Sequence, residues 1–222
     1  MYTMDAEMGV DSLVAEVRNL KADPHVRKLV EERVEDFMEV NKRDSAAWFL
    51  ELVYCLLTAY SSAERAQICV DALCDCDAII SGSREEVVET LRREGHRFAE
   101  KRAEYIVAVR RLTGNIKQII QGFRTTGAAR EWLVKNVKGL GWKEASHFLR
   151  NVGYLDVAIL DRHILSNMKE HDLIPDSFRG GLTKRRYMEF ERILMKAADK
   201  LGMPLGQMDL YLWYRKTGKV LK

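Results

Sequence analysis

Within this 222-residue chain, the stretch Lys138-Gly139-Leu140-Gly141-Trp142-Lys143 holds residue types and spacing suited to chemistry. Two glycines around Leu140 let a backbone adopt positive φ and approach a ligand with no Cβ in the way. The residues after them open a helix, whose first N–H groups and dipole favour a phosphate oxygen. A hairpin of this build, with Leu140 plugging back between two helices, grips a nucleic-acid backbone without reading its bases. An ordinary turn between helices that needs glycine for its own geometry fits the same residues. Lys143 stands just past the turn, at the start of the second helix. Asp161 follows the apolar, loop-like stretch 153–160 and directly opens a helix over 162–168.

These residues must be carried by helices. Ala129, Trp132, Leu133 and Val137 give one apolar face, and Ala145, Phe148, Leu149 and Val152 give another, so the hairpin spans about 129–152. A charged amphipathic helix over 26–40 follows Pro24. The segment 46–58, with Trp48, Phe49, Leu52, Val53, Leu56 and Leu57, reads as a central buried helix. Ser62 suits the cap of a helix over 63–73. Helices follow over 84–94 and 99–112, the second with Arg102, Tyr105, Ile106, Val109 and Leu112 at helical spacing. Gly114, Gly122 and Gly127 punctuate the next section. A long helix through Tyr187, Phe190, Leu194, Ala197 and Leu201 stops at Gly202 and Pro204, and a shorter one covers 207–217. Only three prolines occur, and period-two alternation is missing. The expected fold is all-α: two helical lobes with a helix-hairpin-helix motif and an active-site cleft between them. The whole of 1–222 is expected to be one domain, with lobe boundaries near 60 and 165. The first forty residues say little.

Net charge is only +3, so the distribution matters more than the sum. Arg179, Lys184, Arg185 and Arg186 form one basic cluster, and Arg215, Lys216, Lys219 and Lys222 another. Such clusters suit a phosphate-facing surface; charge alone equally fits a solvated helix face. Four cysteines stand at Cys55, Cys69, Cys74 and Cys76. Cys74 and Cys76 are separated by one residue, whereas structural zinc sites use two to four, so free thiols and no metal are expected. No apolar run approaches the ~18 residues of a membrane span. The acidic start, 1–13, lacks the basic flank and apolar stretch of a secretory signal, so an intracellular, cytoplasmic protein is expected.

The hairpin, Lys143 and Asp161 together resemble the helix-hairpin-helix DNA glycosylase superfamily. In that superfamily the loop before the aspartate is rich in glycine and proline; here it has Gly153 but no proline. Arg97-Phe98 with Arg102-Ala-Glu-Tyr-Ile106, and the ending from Met203 to Lys222, resemble the compact 8-oxoguanine DNA glycosylase/AP lyase family common in archaea and some thermophilic bacteria. The resemblance runs from about Ala46 to Lys222.

That resemblance implies a mechanism. Lys143 is the nucleophile, attacking C1′, expelling the base and forming a Schiff base that permits β-elimination. A free lysine, with a pKa of about 10.4, is protonated at neutral pH; desolvation and the positive end of its helix favour the neutral amine. Trp142 and Phe148 are expected to supply part of an apolar wall. Asp161 stabilises the oxocarbenium-like sugar, and an N-cap role is compatible with that. Gly139, Gly141 and His163 contact the DNA backbone, although a plain helix-surface histidine fits His163 as well. The extruded base needs a pocket: Phe98 and Trp213 are stacking candidates, with the core as the alternative. The terminal carboxylate of Lys222 is expected to reach the base. 8-Oxoguanine has an N7–H donor where guanine has an acceptor, so an acceptor there favours the lesion. The loop of Tyr60, Ser61 and Ser62 is the candidate for filling the vacated stack.

No cysteine follows Cys76, so the four-cysteine iron–sulfur cluster of some relatives has no ligands here, and no cofactor is expected. The expected partner is double-stranded DNA with a damaged base, bound by a monomer. Three other readings fit part of the pattern: a glycosylase for another oxidised or alkylated base, a non-catalytic helix-hairpin-helix DNA-binding protein, and a helical interaction protein whose Gly-x-Gly is only a turn.

Overall fold

The computed structural model describes residues 4–222; Met1, Tyr2 and Thr3, the start of the acidic terminal stretch, lie outside them. Among the described residues there are α-helices and one short 3₁₀ turn, with no strand, as the spacing of apolar residues predicts. The helices are α1 (Met4–Ala22), α2 (Pro24–Lys42), α3 (Ser45–Thr58), α4 (Ala63–Asp75), α5 (Arg84–Arg93), α6 (Ala99–Val109), α7 (Ile116–Gln121), α8 (Thr126–Asn136), α9 (Trp142–Asn151), α10 (Arg162–Glu170), α11 (Lys184–Leu201) and α12 (Leu205–Thr217). None is long and apolar enough to cross a membrane. By contact density the chain divides into a unit of residues 38–153 and a unit of residues 1–37 with 154–222.

The 38–153 unit is built around α3. Trp48, Phe49, Leu52, Val53, Tyr54, Cys55, Leu56 and Leu57 are all buried, so the helix is apolar around most of its circumference. It is covered by α4, α6, α7 and α9. Its start is fixed by the Asp44 carboxylate, which accepts from Ala47 N at 3.0 Å. Ser62 caps α4 by accepting from Arg65 N. Ser83 and Glu86 form a reciprocal capping box at α5. The helix α7 was not anticipated, because at six residues it is too short to show a period. It is docked by Ile116 and Ile120 in the core and by Ser45 Oγ, which donates to Gln118 Oε1 at 2.7 Å. The expected helix over 99–112 ends early as α6 and tightens into the 3₁₀ turn Arg110–Leu112.

In the other unit, α1 packs on α11 and α12. Val10, Leu13, Val14 and Val17 are buried at i, i+3, i+4, i+7, a helical stripe present in a segment whose sequence had said little. Polar groups pin the same helix: Ser12 Oγ lies 2.8 Å from His171 Nδ1, Lys200 pairs with Asp11 at 2.7 Å, and Arg215 pairs with Glu16 at 3.0 Å. At Gly9 the approach is closest, since a Cβ there would stand 2.3 Å from the backbone oxygen of His171. Gly9→Ala should therefore destabilise the protein by about 1–3 kcal/mol in urea unfolding, although alanine favours a helix by up to about 1 kcal/mol. A variant more stable than the parent would show that this contact does not constrain the packing.

Candidate active site

The hairpin is set by one backbone conformation. After α8, Val137 N donates to Leu133 O at 2.9 Å and Leu140 N to Val137 O at 3.1 Å, while Val137 and Leu140 are both buried. Leu140 is thus the plug the sequence implies. Gly139 has φ of +98°, and a Cβ on it would lie 2.4 Å from Cδ2 of Tyr105 on α6. Both backbone and space demand glycine at this position. Gly141 differs from expectation. Its φ is −91°, ordinary extended backbone, and its N–H donates to Glu144 Oε2 at 3.2 Å. The amide expected to be open to a phosphate is taken by a carboxylate in this structure. Glu144, at the third position of α9, was missed, although an acid three residues after an N-cap is a recognisable capping signal.

Lys143 is the second residue of α9, with its side chain 29% exposed and Nζ 3.6 Å from Glu144 Oε1. Beside it, the Trp142 ring faces the buried Arg130 guanidinium at 5.6 Å, and Arg130 in turn donates to Ser146 Oγ. Phe148 is not part of a wall around the lysine. It is wholly buried and packs edge-on to Trp48 of α3, with 6.2 Å between ring centres. Five residues on from Lys143, it falls on the core side of the helix. Lys138 pairs with Glu104 at 2.7 Å, and Lys101 pairs with the same carboxylate. These two cations hold the Glu104 carboxyl down to about 2.

The loop over 59–62 and Phe98 belong to the same unit as Lys143. Tyr60 sits at φ +64° and is 82% exposed, edge-on to Phe98 at 5.7 Å. Phe98 is exposed, with the Arg97 guanidinium 5.3 Å from its ring, so the core alternative fails for it. Ser62 is committed to capping α4, and Ser61 N bonds back to Thr58 O. The side chain projecting from this loop is therefore Tyr60, more than either serine. Arg102 donates to Ala59 O at 3.0 Å, and His96 Nε2 meets Leu57 O at 2.9 Å while His96 Nδ1 accepts from Phe98 N. Burial holds the His96 ring below the usual histidine value, consistent with the neutral tautomer those bonds require.

Asp161 lies in the other unit, as the N-cap of α10. Its Oδ1 accepts from His163 N at 2.8 Å and Ile164 N at 2.9 Å, and neither bond uses Oδ2. The residues before it, Val157 to Leu160, are buried. His163 is half-buried and edge-on to Trp213 of α12, with 6.0 Å between ring centres, so Trp213 is neither deep core nor remote from the Asp161 cap. Lys222 is half-buried at the end of the segment after α12, two residues beyond the buried Val220. Two cations of the basic tail are engaged within the protein: Arg215 and Lys216 both pair with Glu170 and hold that carboxyl at about 2. Arg179, Lys184, Arg185 and Arg186 are exposed, as a solvent- or phosphate-facing cluster requires. Among the described residues no group of three or more His, Cys, Asp or Glu is arranged to hold a metal ion.

Residues 30–203 match the family model described as 8-oxoguanine DNA glycosylase. The 8-oxoguanine DNA glycosylase/AP lyase of Methanocaldococcus jannaschii is 44% identical over 95% of this chain and 99% of its own length. The protein of that name from Korarchaeum cryptofilum is 46% identical over 97% of this chain and 100% of its own. Among solved structures, the M. jannaschii 8-oxoguanine glycosylase/lyase in complex with 15mer DNA containing 8-oxoguanine superposes with a TM-score of 0.89 at 43% identity, over 95% of this chain and 100% of that one. The 8-oxoguanine DNA glycosylase of Thermotoga maritima gives 0.85 at 42% identity, over 96% and 100%. The helix-hairpin-helix with its lysine, the capped aspartate and these matches along nearly the whole length agree: the chain belongs to the 8-oxoguanine DNA glycosylase family.

Proposed function

We propose that this protein is a DNA N-glycosylase and AP lyase that excises 8-oxoguanine through a Schiff base on Lys143 and then nicks the strand by β-elimination. The observation that carries the reading is the amine of Lys143, held four residues past Gly139, where the hairpin turn admits only glycine, in a chain of this family. The neutral amine adds to C1′ as the C1′–N9 bond breaks, and the base leaves with the bonding electrons and takes up a proton. The nitrogen lone pair then expels O4′ from C1′, O4′ taking up the proton the amine gives up on addition, and the resulting Schiff base acidifies C2′–H, which is lost as the 3′ phosphate departs. Asp161 offers a fixed negative charge to the cationic sugar, since its cap holds Oδ1 and leaves Oδ2 outside those bonds.

Gly139, Gly141 and His163 take the roles of backbone contacts, and Phe98 and Trp213 those of aromatic faces for the extruded base. The Lys222 carboxylate accepts from the N7–H of the lesion. Tyr60 with Ser61 enters the gap, Ser62 serving through its cap. The reaction needs no cofactor, because the lysine supplies the nucleophile. The chain, 1–222, acts as one glycosylase domain and a monomer on double-stranded DNA in the cytoplasm.

Excision from a duplex with 8-oxoguanine opposite cytosine is the direct assay. Lys143→Gln should lower the rate roughly a thousandfold or more while leaving the fold intact. A strong preference for thymine glycol would move the protein to another lesion, and DNA binding without excision would make it a binding module. Gly139→Ala should cost about 1–3 kcal/mol in stability and weaken damaged and undamaged DNA alike, measured by thermal melting and by fluorescence anisotropy. Unchanged affinity for both would detach the hairpin from DNA binding. Removing Lys222, or extending the chain past it, should weaken binding to lesion DNA more than to undamaged DNA. Equal losses would remove the C-terminal carboxylate from recognition.

A further inference from the structure

The segment leading into Asp161 contains neither glycine nor proline between 155 and 160, so residue type alone does not set its path. Its residues 157–160 are buried and belong to no helix, so their backbone amides and carbonyls need partners outside regular structure. Most of those partners are side chains of α11 and α12. Ala158 N donates to Glu191 Oε1 at 3.0 Å, and Ile159 N donates to Asp209 Oδ1 at 3.2 Å. The Tyr187 hydroxyl serves twice, accepting from Leu160 N at 3.3 Å and donating to Ala158 O at 2.6 Å. Gly206 N, at the start of α12, donates to Leu155 O at 2.7 Å, and Asp161 N closes a tight turn onto Ile159 O, also at 2.7 Å. Successive amides at 158, 159, 160 and 161 are thus each engaged.

All three side chains are buried: Tyr187 1%, Glu191 5% and Asp209 3% exposed. Two carboxylates and a phenol inside a helical core are costly to place there. Apolar residues would fill the same helix faces at lower cost, but would leave the amides of 158–160 unpaired. The bonds end at the residue that caps α10 with one carboxylate oxygen.

We propose that Tyr187, Glu191 and Asp209 are positioning residues that clamp the 155–160 segment and thereby aim the Asp161 carboxylate for the excision step. The clamp rests on the reading that Asp161 stabilises the sugar cation. It acts on glycosyl-bond cleavage, in which cationic charge develops at C1′. It leaves β-elimination from a preformed abasic site largely alone, because that substrate already carries an aldehyde and needs the lysine amine.

The test is single-turnover kinetics on two duplexes, one with 8-oxoguanine opposite cytosine and one with a preformed abasic site. Tyr187→Phe keeps the ring and deletes both hydroxyl bonds. It should slow excision about tenfold, with DNA affinity and abasic-site cleavage within about twofold of the parent. In an Asp161→Asn background the same substitution should have no further effect on excision, because it works through that carboxylate. Excision unchanged in folded Tyr187→Phe, both reactions falling together, or a full tenfold loss persisting without the Asp161 carboxylate would each overturn the clamp. Parent-like excision by Asp161→Asn alone would instead overturn the reading of Asp161, and the clamp with it. Should Tyr187→Phe fail to fold, Glu191→Gln and Glu191→Met pose the same question. Glutamine keeps an acceptor for Ala158 N and should stay within about threefold of the parent in excision, whereas methionine should lose about tenfold. Equal rates for the two would contradict the clamp.

Discussion

The Tyr105 ring fills the space that a side chain at residue 139 would need. This approach ties the hairpin turn to α6 and demands a residue without Cβ at positive φ. With Leu140 buried after it, the direction in which the chain enters α9 is set. Lys143 inherits its place from that entry. Glu144 adds a second restraint by accepting from Gly141 N and standing beside the lysine amine. Lys143 therefore rests on a secondary-structure element supported from both sides of the turn, the arrangement that fixes geometry better than a loop does. A phosphate that used the Gly141 amide would first have to displace the Glu144 carboxylate.

Asp161 is held by a different logic. Its position depends on a buried irregular segment whose amides are paired with Tyr187, Glu191 and Asp209. Its orientation depends on the first amides of α10. The same carboxylate satisfies a helix end, and in the proposed reaction it also presents charge to the sugar, so a structural requirement and a chemical one would coincide. The 38–153 unit carries the amine and the other unit carries the carboxylate, and each holds its group by contacts within itself.

Much of the fold was legible because helices carry a period that apolar residues reveal. The buried stripe of α3 and the faces of α8 and α9 follow directly from side-chain spacing. Short or strongly charged elements were harder. The α7 helix is too short to show a period, and the stripe of α1 is diluted by the acidic and basic residues around it. Within the site, the places of Lys143 at the start of α9, Asp161 at the cap of α10 and Gly139 in the positive-φ turn were legible because a motif links their types to their spacing. Phe148 was misassigned because sequence distance does not show that it faces Trp48. Gly141 was assigned a conformation that only Gly139 adopts. Tyr187 was read only as part of a helix face, and Glu191 and Asp209 were passed over, because their partners are backbone groups distant in sequence, which no local pattern exposes.

The central claim is that the Lys143 amine becomes covalently joined to the damaged sugar. Borohydride reduction during reaction with an 8-oxoguanine duplex, followed by proteolysis and mass spectrometry of the cross-linked peptide, tests it most directly. The expected result is a single sugar adduct on the peptide containing Lys143, absent when that residue is replaced by glutamine. An adduct on another lysine, or robust excision with no trapped species, would contradict it.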